Sequence, residues 1–461
     1  MTLEYERKNV WESLDSSEHD KIMEFSQGYM EFLDKGQTER RAVSTMVEEA
    51  KAKGFVDFET VDELKRGDKV YYNFMDKSLV LMVMGENIDE GMNIIGAHTD
   101  SPRLDLKANP LYEGADKSGL ALMKTHYYGG VKKYQWVNLP LALVGVAYTK
   151  EGKKVEIEIG LEESDPVFYI NDLLIHLSKD QMKKTMEEGI TAEQLNVVVG
   201  HKPSEESESD AKIKALALEL IKEKYGLVEE DFLVSELTFI PAIKARDVGF
   251  DRAMIAAYGH DDKVCAYTSF EAIMETEDPE RTAVALIVDK EEIGSVGATG
   301  MESYFFENMI ADIMHKTGPD AFYRARKAIQ NSKVLSADVN TALDPSFADV
   351  VEPLNACRIG YGIGLAKYTG ARGKGGSNDA NAEYLAQVRH IFDDGGVIWQ
   401  TGELGKTDQG GGGTIAFILA KYGAEVVDCG PGMLSMHAPY ELISKADVYM
   451  SYKAYKAFYK A

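Results

Sequence analysis

Ala283-Val284-Ala285-Leu286-Ile287-Val288 runs directly into Asp289-Lys290-Glu291-Glu292-Ile293-Gly294. The first six residues are apolar and largely β-branched, without polar alternation, which predicts a strand buried on both faces of a parallel sheet. Two adjacent carboxylates then stand just past its carboxyl end, where open α/β sheets place their sites. Like charges that close raise each other's pKa unless a cation offsets them. A divalent metal would do so, leaving one Glu as a ligand and the other as a general base for an activated water. An isolated Glu-Glu pair, however, is more often a solvated acidic loop. The decision therefore lies with the rest of the chain.

The chain has 461 residues, 44% of them hydrophobic, enough for a large core and for two or three domains. A formal net charge of −25 argues against nucleic acid and anionic membrane as partners. Met1-Thr2-Leu3-Glu4-Tyr5-Glu6-Arg7-Lys8 lacks a secretory pattern, and there is no 18-residue apolar run. A cytoplasmic protein is expected. Cys265, Cys357 and Cys429 lack paired spacing, so neither a disulfide framework nor a thiolate metal site is expected. Any metal must be held by His and carboxylate.

Upstream, a helix is predicted from Thr38, with Ala42, Val43, Met46, Val47 and Ala50 on one face. Strands follow at 79–84 and 92–95. The second leads into Gly96-Ala97-His98-Thr99-Asp100-Ser101-Pro102, where His98 and Asp100 share a face because alternate residues of an extended segment point the same way. From about Leu106 to Lys244 the texture becomes short alternating strands with one helix ending before Gly226, which reads as an inserted β-rich domain at 106–244. The remainder, 1–105 and 245–461, carries the α/β texture: a helix from about Asp262, the strand at 283–288, helices through 303–330, a strand at 334–337 and another at 425–429.

Five polar clusters sit beyond predicted strands or at helix starts: His98/Asp100, Asp261/Asp262, Glu291/Glu292, Asp338 and His437. Each has a dull reading alone, the histidines as structural residues and Asp261, Asp262 or Asp338 as caps of a helix or turn. Their recurrence as metal-ligand types at one end of a sheet is harder to assign to separate accidents. Gly402-Glu403-Leu404-Gly405-Lys406-Thr407 imitates the end of a phosphate-binding loop, but Gln400 stands where that motif needs glycine.

These motifs, together with Gly259-His260-Asp261-Asp262-Lys263, Ser336-Ala337-Asp338, the turn at Gly410–Ile415 and Ser435-Met436-His437, resemble the aspartyl aminopeptidase family of cytosolic metallopeptidases. The resemblance extends to the wider group of co-catalytic zinc exopeptidases. It implies a mixed sheet sandwiched by helices, carrying the insertion. It further implies that His98, Asp261 and Asp338 hold one ion, and Asp261, Glu292 and His437 a second. Asp261 bridges, its peptide bond to Asp262 being cis. Zinc is implied, with manganese or cobalt compatible with the same donors. Glu291 becomes the base that shuttles the water's proton to the leaving amine, and Asp100 fixes the tautomer of His98. The insertion is implied to drive oligomerisation, dimers building into a dodecamer, with His176 in Asp172-Leu173-Leu174-Ile175-His176-Leu177 reaching a neighbouring subunit's site. A preference for acidic N-terminal residues calls for a cation, for which Lys367 is the candidate, although Asn340 and Thr341 stand where some members have a histidine. The expected substrates are peptides. A carboxypeptidase or deacylase on the same metal cage, and a non-catalytic assembly protein, are the alternatives.

Overall fold

The computed structural model describes residues 3–461. By contacts the chain divides into two compact units, one of residues 1–100, 245–436 and 441–461, the other of 101–244 and 437–440. The second unit begins at Ser101, and its strand Arg103–Glu113 already runs through Leu106, where the sequence texture changes.

In the first unit four strands lie side by side and parallel. They are β1 (Met92–His98), β2 (Thr282–Val288), β3 (Lys333–Ser336) and β4 (Glu425–Leu434), in the order β2-β1-β3-β4. Ser78–Val83 and then Lys69–Phe74 extend the sheet antiparallel beyond β2, while Glu441–Ser444 and Met254–Ala257 extend it beyond β4. Every residue of β1 and β2 is buried. The pleat sends alternate side chains to opposite faces. Ile95, Ala97, Ala283, Ala285 and Ile287 pack with the helices Ser16–Lys35, Glu39–Ala52, α1 (His260–Met274) and Lys445–Tyr459. Ile94, Val284, Leu286 and Val288 pack on the other face with Phe305–Thr317, Ala321–Gln330 and Ala416–Ala420. Helices therefore cover both faces of a mixed sheet, the architecture read from the sequence. At about 1.5–3 kcal/mol per buried aliphatic side chain, these two layers supply the drive for the fold.

Local signals account for the element ends. Thr38 caps the helix Glu39–Ala52, its hydroxyl accepting from Arg41 N at 3.5 Å. Gly96 lets the sheet approach the helix start at Ile415, where a Cβ would lie 2.6 Å from Ile415 Cδ1. The elements of this unit that the sequence does not announce include the strand Ile363–Ala366, antiparallel to β4, and the helix Ala382–Asp394. Gly362 and Gly364 interrupt the apolar residues of that strand, so no apolar run marks it.

The second unit is a six-stranded antiparallel sheet in the order Lys154–Ile159, Leu141–Tyr148, Ser235–Pro241, Arg103–Glu113, Ala121–Tyr128 and Asn196–Gly200. Its helix Lys212–Tyr225 ends at Gly226 in the left-handed conformation, as the glycine predicts. Among the described residues no helix is long and apolar enough to cross a membrane.

Glu271, on α1, is an acidic group the fold tolerates poorly. Burial, then Glu49 and Glu275, push its carboxyl up to about 7. Because its folded pKa exceeds the unfolded value, the unfolded chain releases the proton first, and stability falls as pH rises from about 4.5 to about 7. Glu271→Gln should therefore raise stability at pH 8, by on the order of 1–3 kcal/mol and with it the midpoint of thermal unfolding, and change both little at pH 4.5. Melting curves at the two pH values check this.

Candidate metal centre

The parallel register decides which residues meet. Val288 at the end of β2 pairs with His98 at the end of β1, and Ser336 at the end of β3 pairs with Gly96. Asp289 to Glu292, His98 to Asp100, and Asp338 therefore leave the sheet at the same edge. Helix α1 delivers Asp261 and Asp262 in its opening turn, which is not helical: Asp261 has φ −81° and ψ 109°, and Asp262 has φ −115° and ψ 30°. The peptide bond between them is cis, as expected.

His98 is 2% exposed. Its Nδ1 lies 3.0 Å from the Asp100 carbonyl oxygen and 3.2 Å from Asp100 Oδ1. Both are acceptors, so Nδ1 carries the proton in the neutral ring. Nε2 then turns its lone pair toward more acceptors, Asp261 Oδ1 at 3.3 Å and Glu291 Oε2 at 3.7 Å, and makes no hydrogen bond. A lone pair facing carboxylates in a buried site is repulsive unless a cation lies between them or the ring is protonated. His98, Asp262 and Asp338 each offer one ligand atom, and the three atoms lie within 4.8 Å of one another.

The titration directions agree with that geometry. Burial opposes charge on His98, yet Asp100, Asp261 and Glu291 outweigh it and hold its pKa well above the usual value. Burial, reinforced by Glu291, Asp262 and Asp261, pushes the Asp338 carboxyl well up, and burial does the same for Asp262. A site of this kind is short of positive charge, and its imidazole and carboxylate donors suit a divalent ion such as zinc.

Asp100 holds the site together from beneath. It is fully buried, and its two oxygens accept from the backbone N–H groups of Glu291 and Glu292, each at 3.1 Å. One side chain thus orients His98 and the Glu-Glu turn together. Glu441, 1% exposed, accepts from Asp261 N at 3.2 Å and holds the opening turn of α1.

Of the residues singled out in the sequence, His98, Asp100, Asp261, Glu291, Glu292 and Asp338 come together at this edge. His437 follows β4 by three residues and is grouped with the second unit, where its Nδ1 is 2.9 Å from Gly130 O. That contact places the ring proton on Nδ1 and leaves Nε2 as a donor atom for a metal. Lys367 is about half exposed and 3.6 Å from Asp379, which also takes Lys374 Nζ at 2.8 Å. His176 sits exposed on the turn Ile175–Leu177 of the second unit. Gln400 is buried and donates to the carbonyls of Arg358 and Gly362, a structural role consistent with rejecting the phosphate-loop reading. Asp262 and Glu441 had no assigned role in the sequence reading. Their only signal was adjacency, Asp262 to Asp261 and Glu441 to the end of the loop carrying His437.

Comparison with known proteins matches residues 32–459 to a family model described as Aminopeptidase I zinc metalloprotease (M18). The chain belongs to the M18 family. A probable M18 family aminopeptidase 1 of Clostridium acetobutylicum is 48% identical over 458 residues, 98% of each chain. The crystal structure of an M18-family aminopeptidase from Thermotoga maritima superposes with a TM-score of 0.95 at 41% identity, covering 99% of this chain and 100% of that one. The S. cerevisiae mApe1 dodecamer shares the fold, with a TM-score of 0.75 at 21% identity, covering 95% and 96% respectively. The M18 chain is a metal-dependent aminopeptidase, a hydrolase acting at peptide N-termini. Membership sets aside the carboxypeptidase, deacylase and assembly-protein alternatives.

Removing the Asp100 carboxylate should loosen His98 and both glutamates at once. Asp100→Ala is expected to weaken metal retention roughly 10–100-fold and to lower kcat/KM correspondingly. Metal content after dialysis against graded chelator, with steady-state kinetics, measures both. Unchanged retention would contradict the role given to this carboxylate.

Proposed function

We propose that the protein removes N-terminal residues from peptides by water attack at a centre of two divalent ions, zinc by the family's description. His98, Asp261 and Asp338 would hold one ion and Asp261, Glu292 and His437 the other, with Asp261 shared. Asp262, whose carboxylate lies beside His98 N at 3.3 Å, completes the buried negative wall. The observation that carries this reading is the Nε2 lone pair of His98 directed at Asp261 and Glu291. Two ions bound there would supply an electrophile for the scissile carbonyl and a more acidic water.

The chain's own groups do the rest. Glu291 is partly exposed, with a side chain 15% accessible, so its carboxylate can reach solvent while its backbone is fixed by Asp100. It takes the proton from the attacking water and delivers it to the departing amine nitrogen. Asp100 keeps the His98 proton on Nδ1, so that Nε2 stays available as a ligand.

Preference for an acidic first residue rests on Lys367, whose charge is shared with Asp379 at 3.6 Å; a substrate carboxylate would have to compete for it. Assembly into dimers and then a dodecamer is supported by the likeness to the mApe1 dodecamer. The exposed apolar run Leu173, Leu174, Ile175 and Leu177 in the second unit points the same way. His176 lies within that run and would be presented to a neighbouring copy's site. The setting is the cytoplasm.

The test is a panel of free aminoacyl substrates, Asp, Glu, Leu and Ala, assayed with and without chelator on the parent chain and on Glu291→Gln. Chelator should abolish turnover, and Glu291→Gln should retain its metal while losing about two orders of magnitude or more in kcat. Turnover of Asp and Glu above Leu and Ala, lost in Lys367→Ala, supports the acidic preference; the reverse order removes it.

A further inference from the structure

The turn that carries Glu291 and Glu292 is closed by a second buried carboxylate that contributes no ligand. Asp289 is fully buried at the end of β2. Its Oδ1 accepts from Lys290 N at 2.8 Å, its Oδ2 accepts the hydroxyl of Thr299 at 2.6 Å, and Lys290 Nζ lies 3.3 Å from that same Oδ2. Thr299, 3% exposed, is itself anchored, its carbonyl accepting from Ser78 Oγ at 2.6 Å and from Asp289 N at 3.4 Å. Ser78 opens the neighbouring strand, so Thr299 ties the far side of the turn to the sheet. Between these two residues the chain is wound tightly. Lys290 and Ser295 both take left-handed φ values, 68° and 60°. Ser295 N donates to Lys290 O at 2.7 Å, and Glu302 N to Ser295 O at 3.1 Å. Gly300 leaves no room for a side chain, since a Cβ there would lie 2.2 Å from Ser295 O.

A left-handed non-glycine residue is disfavoured and persists only where its surroundings enforce it. Lys290 immediately precedes Glu291, so its dihedrals set the direction in which the Glu291 backbone leaves the sheet. Asp289 holds Lys290 through the amide hydrogen bond, and Thr299 holds Asp289. From the other side Asp100 fixes the amides of Glu291 and Glu292. The glutamate turn is therefore clamped between two buried carboxylates, one beneath the metal ligands and one behind them.

We infer that Asp289 and Thr299 are positioning residues that aim Glu291, the hydrogen bond from the Thr299 hydroxyl to Asp289 fixing the left-handed turn at Lys290. This rests on the reading of Glu291 as the proton-transfer group. Because His98, Asp261 and Asp338 lie outside this turn and the Glu292 amide stays fixed by Asp100, losing the bond between Asp289 and Thr299 should misdirect the base without emptying the centre. Proton transfer demands hydrogen-bond reach, and a displacement of about 1 Å lowers the rate on the order of 10–100-fold.

The experiment compares Thr299→Val, which keeps the shape and loses the hydroxyl, with Thr299→Ser, which keeps the hydroxyl, in the full-length metal-loaded protein. Glu291→Gln is run alongside. The expected result is a 10–100-fold fall in kcat for Thr299→Val with KM within about twofold of the parent, full metal content, and recovery of most of the kcat in Thr299→Ser. A kcat for Thr299→Val within about twofold of the parent, while Glu291→Gln is inactive, overturns the inference and leaves the assignment of Glu291 standing. Equal loss in both Thr299 variants, or loss of metal in step with loss of rate, also overturns it, in favour of a loop that only holds the fold. Retained turnover in Glu291→Gln overturns the assignment of the base and the inference with it.

Discussion

The whole edge of this sheet depends on the placement of one imidazole. With its Nδ1 proton committed to Asp100, His98 can offer only a lone pair from Nε2, and it offers that lone pair to carboxylates. In a buried site such an arrangement is unfavourable on its own, and a divalent cation is the simplest way to make it favourable. Burial and mutual repulsion raise the Asp262 and Asp338 carboxyls for the same reason, so the same cation relieves them too. The M18 family's description as zinc metalloproteases supplies the expected ion.

The fold puts these charges together by a general device. Parallel strands feed their carboxyl ends to one edge, and the loops leaving that edge need not continue the sheet. β1 ends in the histidine, β2 in the paired glutamates and β3 in Asp338, while α1 opens against them with Asp261 and Asp262. Two apolar layers packed on either side of the sheet keep that edge rigid. Buried side chains that never act as ligands then fix directions: Asp100 for the histidine and both glutamate amides, and Glu441 for the Asp261 amide.

Much of this was legible in the sequence because β2 is apolar over Ala283 to Val288 and because polar clusters follow closely on β1, β2 and β3. Ala283 to Val288 reads as a doubly buried strand without ambiguity, and His98 and Asp100 share a face by simple alternation. Asp262 was harder to read. At the start of a helix it resembles an ordinary cap, and only the non-helical backbone of the first turn sends its carboxylate to the amide of His98. Glu441 could not be assigned a partner 180 residues away. Lys367 shows what charge read along the sequence leaves out, since Asp379 stands 3.6 Å from its ammonium. The strand Ile363–Ala366 is hidden because Gly362 and Gly364 interrupt its apolar residues.

The direct test of the central claim is an anomalous difference map at the zinc edge from crystals of the zinc-loaded protein. A peak about 2.0–2.1 Å from His98 Nε2, in contact with carboxylate oxygens from α1 and from Asp338, is the predicted result, with a second peak about 3.5–4 Å away. A map without a peak at Nε2, in which His98 instead donates a hydrogen bond to Asp261 as an imidazolium, would contradict it.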